Sequence, residues 1–252
     1  MFNKREYEDK KLFDDIATNY IKKDLISYCR IARKLRLVQS LKGIQIPIKR
    51  ILEVGCGAGF SADYLNGKYT SYTGVDYSQN LIDYANKHNN YRGVNFKCVN
   101  INEFNTDFKF DVVLMIGVLH HMPEPENAIK SLLKILTPKG IIVVNEPQAG
   151  NPLIGLLRKI RKKIDNNYST DQVEFTKDEI CSIFEKCGYE IKTYSQGVLS
   201  TPFAESRILP RFLGMPLAWL AVMIDPLLEK LLTILCLKKL TWNVVVHAKH
   251  KG

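Results

Sequence analysis

Between residues 45 and 147 the chain alternates short, nearly all-apolar runs with longer stretches of helical period. Ile51, Leu52 and Val54 form the first run, which ends in Gly55-Cys56-Gly57-Ala58-Gly59 and so predicts a buried strand entering a tight turn. A helix is expected to start within 61–67. The second strand is placed at 72–78 and carries Asp76, with a helix at 81–88. The third strand is expected at 94–100 and the fourth, apolar almost throughout, at 110–119. The pairs Ala128/Ile129, Leu132/Leu133 and Ile135/Leu136 predict a helix over 126–136. Thr137-Pro138-Lys139-Gly140 should stop that helix as a turn before a fifth strand at 141–147. Strands alternating with helices in this way imply right-handed βαβ units: an α/β fold with a doubly wound, mostly parallel sheet.

The flanks follow other rhythms. Upstream, Leu25, Tyr28, Ala32, Leu35, Val38 and Leu41 share one helical face. Downstream, Leu153, Leu156, Leu157, Ile160 and Ile164 oppose Arg158, Lys159, Arg161, Lys162 and Lys163. That segment reads either as a solvated helix face or as a contact to an anionic membrane surface or a phosphate. Thr176-Lys177-Asp178-Glu179 has the form of a capping box, followed by Ile180, Ile183, Phe184 and Cys187 at helical spacing and by Gly188 as a stop. Sixth and seventh strands are predicted at 189–195 and 241–250. Residues 198–240, between them, are more apolar than a surface connection should be. Pro216, Asp225, Pro226, Glu229 and Lys230 interrupt this insertion too often for one bilayer-spanning helix. It is expected to form a lid over the C-terminal ends of the strands, with Met215, Leu217, Trp219 and Met223 covering an apolar acceptor and Arg207 and Arg211 meeting a phosphate. An interfacial helix pair and plain core are the alternatives.

Composition adds bounds. The 252 residues suffice for one α/β domain with elaborations, and 46% hydrophobic with 25% charged residues is ordinary for a globular chain. The formal charge of +10 favours anionic partners, or else reflects a Lys-rich bias that serves solubility. The six cysteines show no paired or metal-ligating spacing, and the first fifteen residues are charged throughout, so the reading is reduced and cytoplasmic with no metal. His247 and His250, on the last strand, are expected to face solvent.

The glycine turn is where the chemistry begins. Alternate glycines let the chain turn sharply and let a ligand touch the backbone. A dinucleotide-binding turn would carry its third glycine where this chain has Phe60, which points to a smaller nucleoside ligand. Asp76 lies at a strand end about 20 residues on, where a carboxylate can accept both ribose hydroxyls. Asn100 could accept an adenine amino group or simply cap a turn, and Gly117 permits close backbone approach. His120 or His121 could take a proton from a substrate hydroxyl or amine, with packing as the alternative; Glu146 is a second candidate base.

The segments ILEVGCGAGF, YTGVDYS and FDVVLMIGVLHHMPEPENAIKSLLKILTPKGIIVVNEP resemble, in order and spacing over 45–147, the S-adenosylmethionine-dependent methyltransferases of class I, in particular the ubiquinone/menaquinone-biosynthesis group. The resemblance implies a Rossmann-like sheet of seven strands with an antiparallel last strand. It implies S-adenosylmethionine as cofactor and a helical lid over 1–44, in which Tyr20 approaches the methionine end. The core is then 45–147, and 148–252 completes the same domain with insertions at about 150–172 and 198–240. Glu53, Gly55, Cys56 and Gly57 fall in the first cofactor motif, Asp76 and Tyr77 in the ribose motif, and Asn100 and Ile101 in the adenine motif. The family usually has Asp at Asn100. The implied reaction is methyl transfer; together with the apolar insertion and the basic segment it is read as acting on a small acceptor, apolar or lipid-linked, with an anionic membrane surface as a further partner. A nucleic-acid substrate is disfavoured, since no Asn/Asp-Pro-Pro-aromatic motif follows the fourth strand. A non-catalytic binding protein is the remaining alternative.

Overall fold

A computed structural model describes residues 4–149, 151, 155, 175–205 and 209–251. The basic segment expected at 153–164, Gly155 apart, and Arg207 lie outside the described residues. The chain runs α1 (Lys4–Asp24), α2 (Ser27–Ser40), β1 (Ile48–Val54), α3 (Phe60–Tyr64), β2 (Tyr69–Asp76), α4 (Gln79–His88), β3 (Val94–Cys98), β4 (Phe110–Ile116), α5 (Pro125–Leu133) and β5 (Leu136–Pro147). After the undescribed stretch come α6 (Lys177–Lys186), β6 (Tyr189–Gln196), α7 (Thr201–Glu205), α8 (Arg211–Ile234) and β7 (Asn243–His250).

Seven strands form one sheet in the order β3-β2-β1-β4-β5-β7-β6. The first five pair in parallel, whereas β7 lies antiparallel between β5 and β6. The expected fold class is therefore the observed one. The reason is visible in β4, whose alternate residues enter different cores. Val113 and Met115 pack with Ile129 and Leu132 of α5 and Ile180 and Phe184 of α6. Val112 and Leu114 belong to the cluster with Leu37 of α2, Ala62 of α3 and Ile82 of α4. A strand covered on both faces has no use for polar alternation, so it reads as a continuous apolar run.

Local signals hold where they rest on backbone chemistry. Thr176 and Glu179 close the capping box on α6, and Ser78 caps α4 by accepting from the Leu81 amide. Three expectations need correction. Residues 137–140 are not a turn before the strand: β5 already pairs at Leu136, and the register slips between Phe110↔Leu136 and Val112↔Ile141, so the extra residues bulge from the ladder. The 22–42 stripe is broken between α1 and α2, leaving Leu25 exposed, and Leu37 rather than Leu35 reaches the core. His247 is half-buried, with Nε2 2.7 Å from the Ser40 carbonyl oxygen and 3.0 Å from the Tyr194 hydroxyl; burial lowers its pKa.

The apolar insertion forms one long helix over 211–234 rather than a helix pair, and it is attached beside the C-terminal end of β6. Pro216 and Pro226 lie inside one helix, α8. Among the described residues its buried side is set against α2, through Ala218 beside Tyr28 and Cys29. It is hooked to the end of β6 by Asp225, which accepts from the amides of Val198 (3.2 Å), Leu199 (2.7 Å) and Ser200 (3.0 Å).

Candidate active site at the strand ends

The glycine turn after β1 takes the form its residues require. Gly55, Gly57 and Gly59 have φ of 69°, 53° and 76°. These are left-handed values at which a side chain costs about 1–2 kcal/mol. At Gly55 space is also lacking, since a Cβ would sit 2.4 Å from Val118 Cγ2. At Gly57 a Cβ would have room, with the Tyr20 ring of α1 the nearest group at 3.8 Å. The turn thus stays open on the ligand side and is roofed by the N-terminal helix.

Asp76 ends β2 beside that turn. Its Oδ2 accepts from the Gly57 amide at 2.8 Å and its Oδ1 from the Ser78 amide at 2.9 Å. Burial raises its pKa, and the Ser78, Gly57 and Tyr77 amides pull it back down only in part. Asp76 lines a cavity of about 290 Å³ together with Gly55, Tyr77, Asn100 and Ile101, all expected site residues. Apolar Val99, Val118 and Met122, with polar Glu6 and Asn127, complete much of the wall. A recessed carboxylate between apolar side chains suits a ligand with paired hydroxyls on a flat-ringed base.

Other expected residues sit nearby without lining this cavity. Glu53 points under the turn, where its carboxylate accepts from Ser61 Oγ at 2.7 Å and from the Tyr72 hydroxyl. Burial pushes it up to about 7. It braces β2 and the start of α3 from below. Cys56 is also buried, and Gly117 faces the Arg36 guanidinium, 3.6 Å from where its Cβ would stand. Asn100, which does line the cavity, spends one acceptor on the Asn102 amide at 3.0 Å.

The two histidines part company. His120 turns inward, its Nδ1 2.6 Å from Glu146 Oε2, while Glu146 Oε1 accepts from the Leu119 amide at 2.6 Å. Glu146 is 1% exposed. Burial would raise its pKa, but His120, the Leu119 amide and Arg36 together hold it below the ordinary value. His121 lies on the cavity wall with Nδ1 3.4 Å from Asp9 of α1, and burial lowers its pKa. Of the three expected proton acceptors, only His121 reaches the cavity.

Two residues here escaped sequence reasoning. Phe13 of α1 makes edge contacts with Tyr20, Tyr77 and His121, at centroid distances of 6.1, 6.2 and 5.1 Å. Arg36 of α2 donates to Asn145 Oδ1 at 2.8 Å and to the Asn145 carbonyl at 2.9 Å. Nothing in their local sequence separates Phe13 from a core residue or Arg36 from a solvated one.

This geometry has counterparts. Residues 52–142 match the family model described as a methyltransferase domain. Over that region the chain is similar to S-adenosylmethionine-dependent methyltransferases of class I. The ubiquinone biosynthesis O-methyltransferase of Coxiella burnetii (strain Dugway 5J108-111) is 32% identical over 109 residues, 42% of this chain and 47% of that protein. That of Bradyrhizobium diazoefficiens is 30% identical over 120 residues, 46% of each. The matched region thus spans about half the length of these curated relatives. Among solved structures, a possible histamine N-methyltransferase from Thermotoga maritima shares the fold with TM-score 0.64 and 21% identity, over 96% of this chain and 99% of that one. Magnesium protoporphyrin IX methyltransferase from Synechocystis PCC 6803, solved with bound SAH, does so with TM-score 0.63 and 12% identity, over 97% and 99%. S-adenosylmethionine is the cofactor of the methyltransferase family that residues 52–142 match, and the recessed Asp76 beside an open glycine turn fits that molecule.

Proposed function

We propose that this chain transfers a methyl group from S-adenosylmethionine to a small acceptor, apolar or lipid-linked, as a cytoplasmic and membrane-peripheral enzyme. The observation that carries the reading is Asp76, fixed by the Gly57 and Ser78 amides and facing the same cavity as His121. Asp76 would hold the ribose hydroxyls, Gly55 and Gly57 would admit the cofactor to the backbone, and Asn100, Ile101 and Met122 would flank its base. The curated relatives, named for ubiquinone biosynthesis, support an apolar acceptor.

Bound S-adenosylmethionine supplies a methyl group on a cationic sulfur, already activated for displacement. What remains for the protein is to align the acceptor and receive its proton. His121 is the residue for the second task. Its lowered pKa keeps the ring neutral at pH 7, the form that can accept a proton. His120 and Glu146 are positioning residues, since Glu146 ties both His120 and the Leu119 amide to the end of β5.

Incubating the purified chain with methyl-labelled S-adenosylmethionine and fractionated lipid extracts tests this, with label expected in an apolar fraction. His121→Ala should lower turnover by about 10²-fold or more while retaining SAH binding by calorimetry. Cofactor binding without label transfer to any fraction would overturn the reading.

A further inference from the structure

Helix α8 has its polarity reversed. Its carboxylates face the protein: Asp225 is fully buried on the 198–200 amides, and Glu229 accepts from the Gly197 amide at 2.7 Å. Gly214, Ala218 and Ala221 share that inward stripe. Opposite to it, at helical spacing, stand Phe212, Trp219, Met223, Leu227 and Ile234, exposed by 75, 53, 71, 69 and 67%. With Leu220 and Leu231 beside them, these side chains present on the order of 1,000 Å² of apolar surface, against a few hundred on an ordinary monomer face.

The charges that this segment exposes have one sign. Arg211, Lys238 and Lys239 are exposed at its ends, Lys230 is exposed within it between Leu227 and Ile234, and between residues 209 and 251 the only carboxylates are the two that turn inward. A second copy of the chain would set these cations against their own kind with no exposed carboxylate from the same segment to offset them. An anionic lipid headgroup complements them directly, and a Trp at the boundary suits such a position. No helix among the described residues is long and apolar enough to cross a membrane. A helix whose one side is anchored to protein, and whose other side is apolar with one long lysine able to snorkel and further cations at its ends, lies on a bilayer rather than through it.

We propose that α8 is an interfacial helix that lays the protein on an anionic lipid surface, with Phe212, Trp219, Met223, Leu227 and Ile234 entering the acyl boundary and Lys238 and Lys239 meeting headgroup phosphates. This rests on the membrane-peripheral part of the reading above and not on methyl transfer. It also accounts for a route by which a lipid-linked acceptor would meet the enzyme.

Co-sedimentation of the full chain with vesicles is the test, using phosphatidylcholine alone or with roughly one part in three phosphatidylglycerol. Binding should be at least about tenfold tighter to the anionic vesicles and should weaken with salt. The Met223→Glu/Leu227→Glu variant, changed only at exposed positions, should bind at least about tenfold more weakly. Lys238→Glu/Lys239→Glu should lose the preference for phosphatidylglycerol. Both variants should bind SAH as the wild type does. Equal sedimentation of wild type and the Met223/Leu227 variant would overturn the proposal. So would a wild-type dimer that ignores vesicles and that this variant converts to monomer, which would assign the face to a second copy. Failure to bind SAH, with vesicle binding intact, would remove the methyltransferase reading and leave this one standing.

Discussion

Strand β4 and helix α8 are both apolar along most of their length, yet one is core and the other is mostly surface. β4 lies mid-sheet with helices on both sides, so Val113, Leu114 and Met115 are each fully buried. α8 has a protein partner on one side, chiefly α2, and most of its large apolar residues stay at least 44% exposed. Apolar content sets how much surface would gain from leaving water; the number of covering layers sets how much does. Where cover is lacking, attachment relies on polar hooks, and Asp225 with its three backbone amides is that hook.

The contrast can be broken most directly by truncation on each side. Leu114→Ala should cost about 2–5 kcal/mol in urea or thermal unfolding, because a filled, two-sided core loses contacts and gains a cavity. Met223→Ala should stay within about 0.5 kcal/mol, as for other surface changes. Similar losses at both positions would mean that α8 is covered in solution.

A smaller effect sharpens the view of the sheet end. Burial lifts Glu53 to about 7 from an ordinary 4.5, despite hydrogen bonds from Tyr72 and Ser61. The folded protein therefore holds a proton there at pH values where the unfolded chain has released it. This contribution to stability is full below about pH 4.5 and is lost as pH rises through about 7. Relative to Glu53→Gln, the wild type should lose up to about 3 kcal/mol between pH 4.5 and 8, read from paired unfolding curves. Parallel curves across that range would mean that Glu53 is ionised in the fold.

Smallest and most local is Asp76→Ala, which should weaken SAH binding by about 1.5–3 kcal/mol, or roughly 10- to 150-fold. Unchanged calorimetric affinity would remove Asp76 from the ribose site and leave the glycine turn as mere strand-to-helix geometry.

The strands, the turn at 55–59 and the end of β2 at Asp76 were legible because each is written in neighbouring residues. Period, glycine freedom and capping are local properties. Residues 137–140 show where that fails: Pro and Gly signalled a turn, but β4 offered a partner from Leu136 onward, and pairing absorbed the segment as a bulge. Asn100 shows a subtler limit, since it lines the cavity but shares its side-chain acceptor with the Asn102 amide.

By itself, then, the amino-acid order determined an α/β sheet with an open glycine turn beside an acidic strand end. These follow from alternation and backbone freedom within a few residues of each other. Only the tertiary structure decided that His121 faces the cavity while His120 turns to Glu146, that Glu53 lies beneath the turn, and that α8 keeps its carboxylates inward and its apolar face bare. Each of these depends on which distant segment covers which face: α1 over the strand ends, β2 beside β1, α2 against one side of α8. Periodicity says that a face is apolar, but contact between segments far apart in the chain settles whether anything covers it.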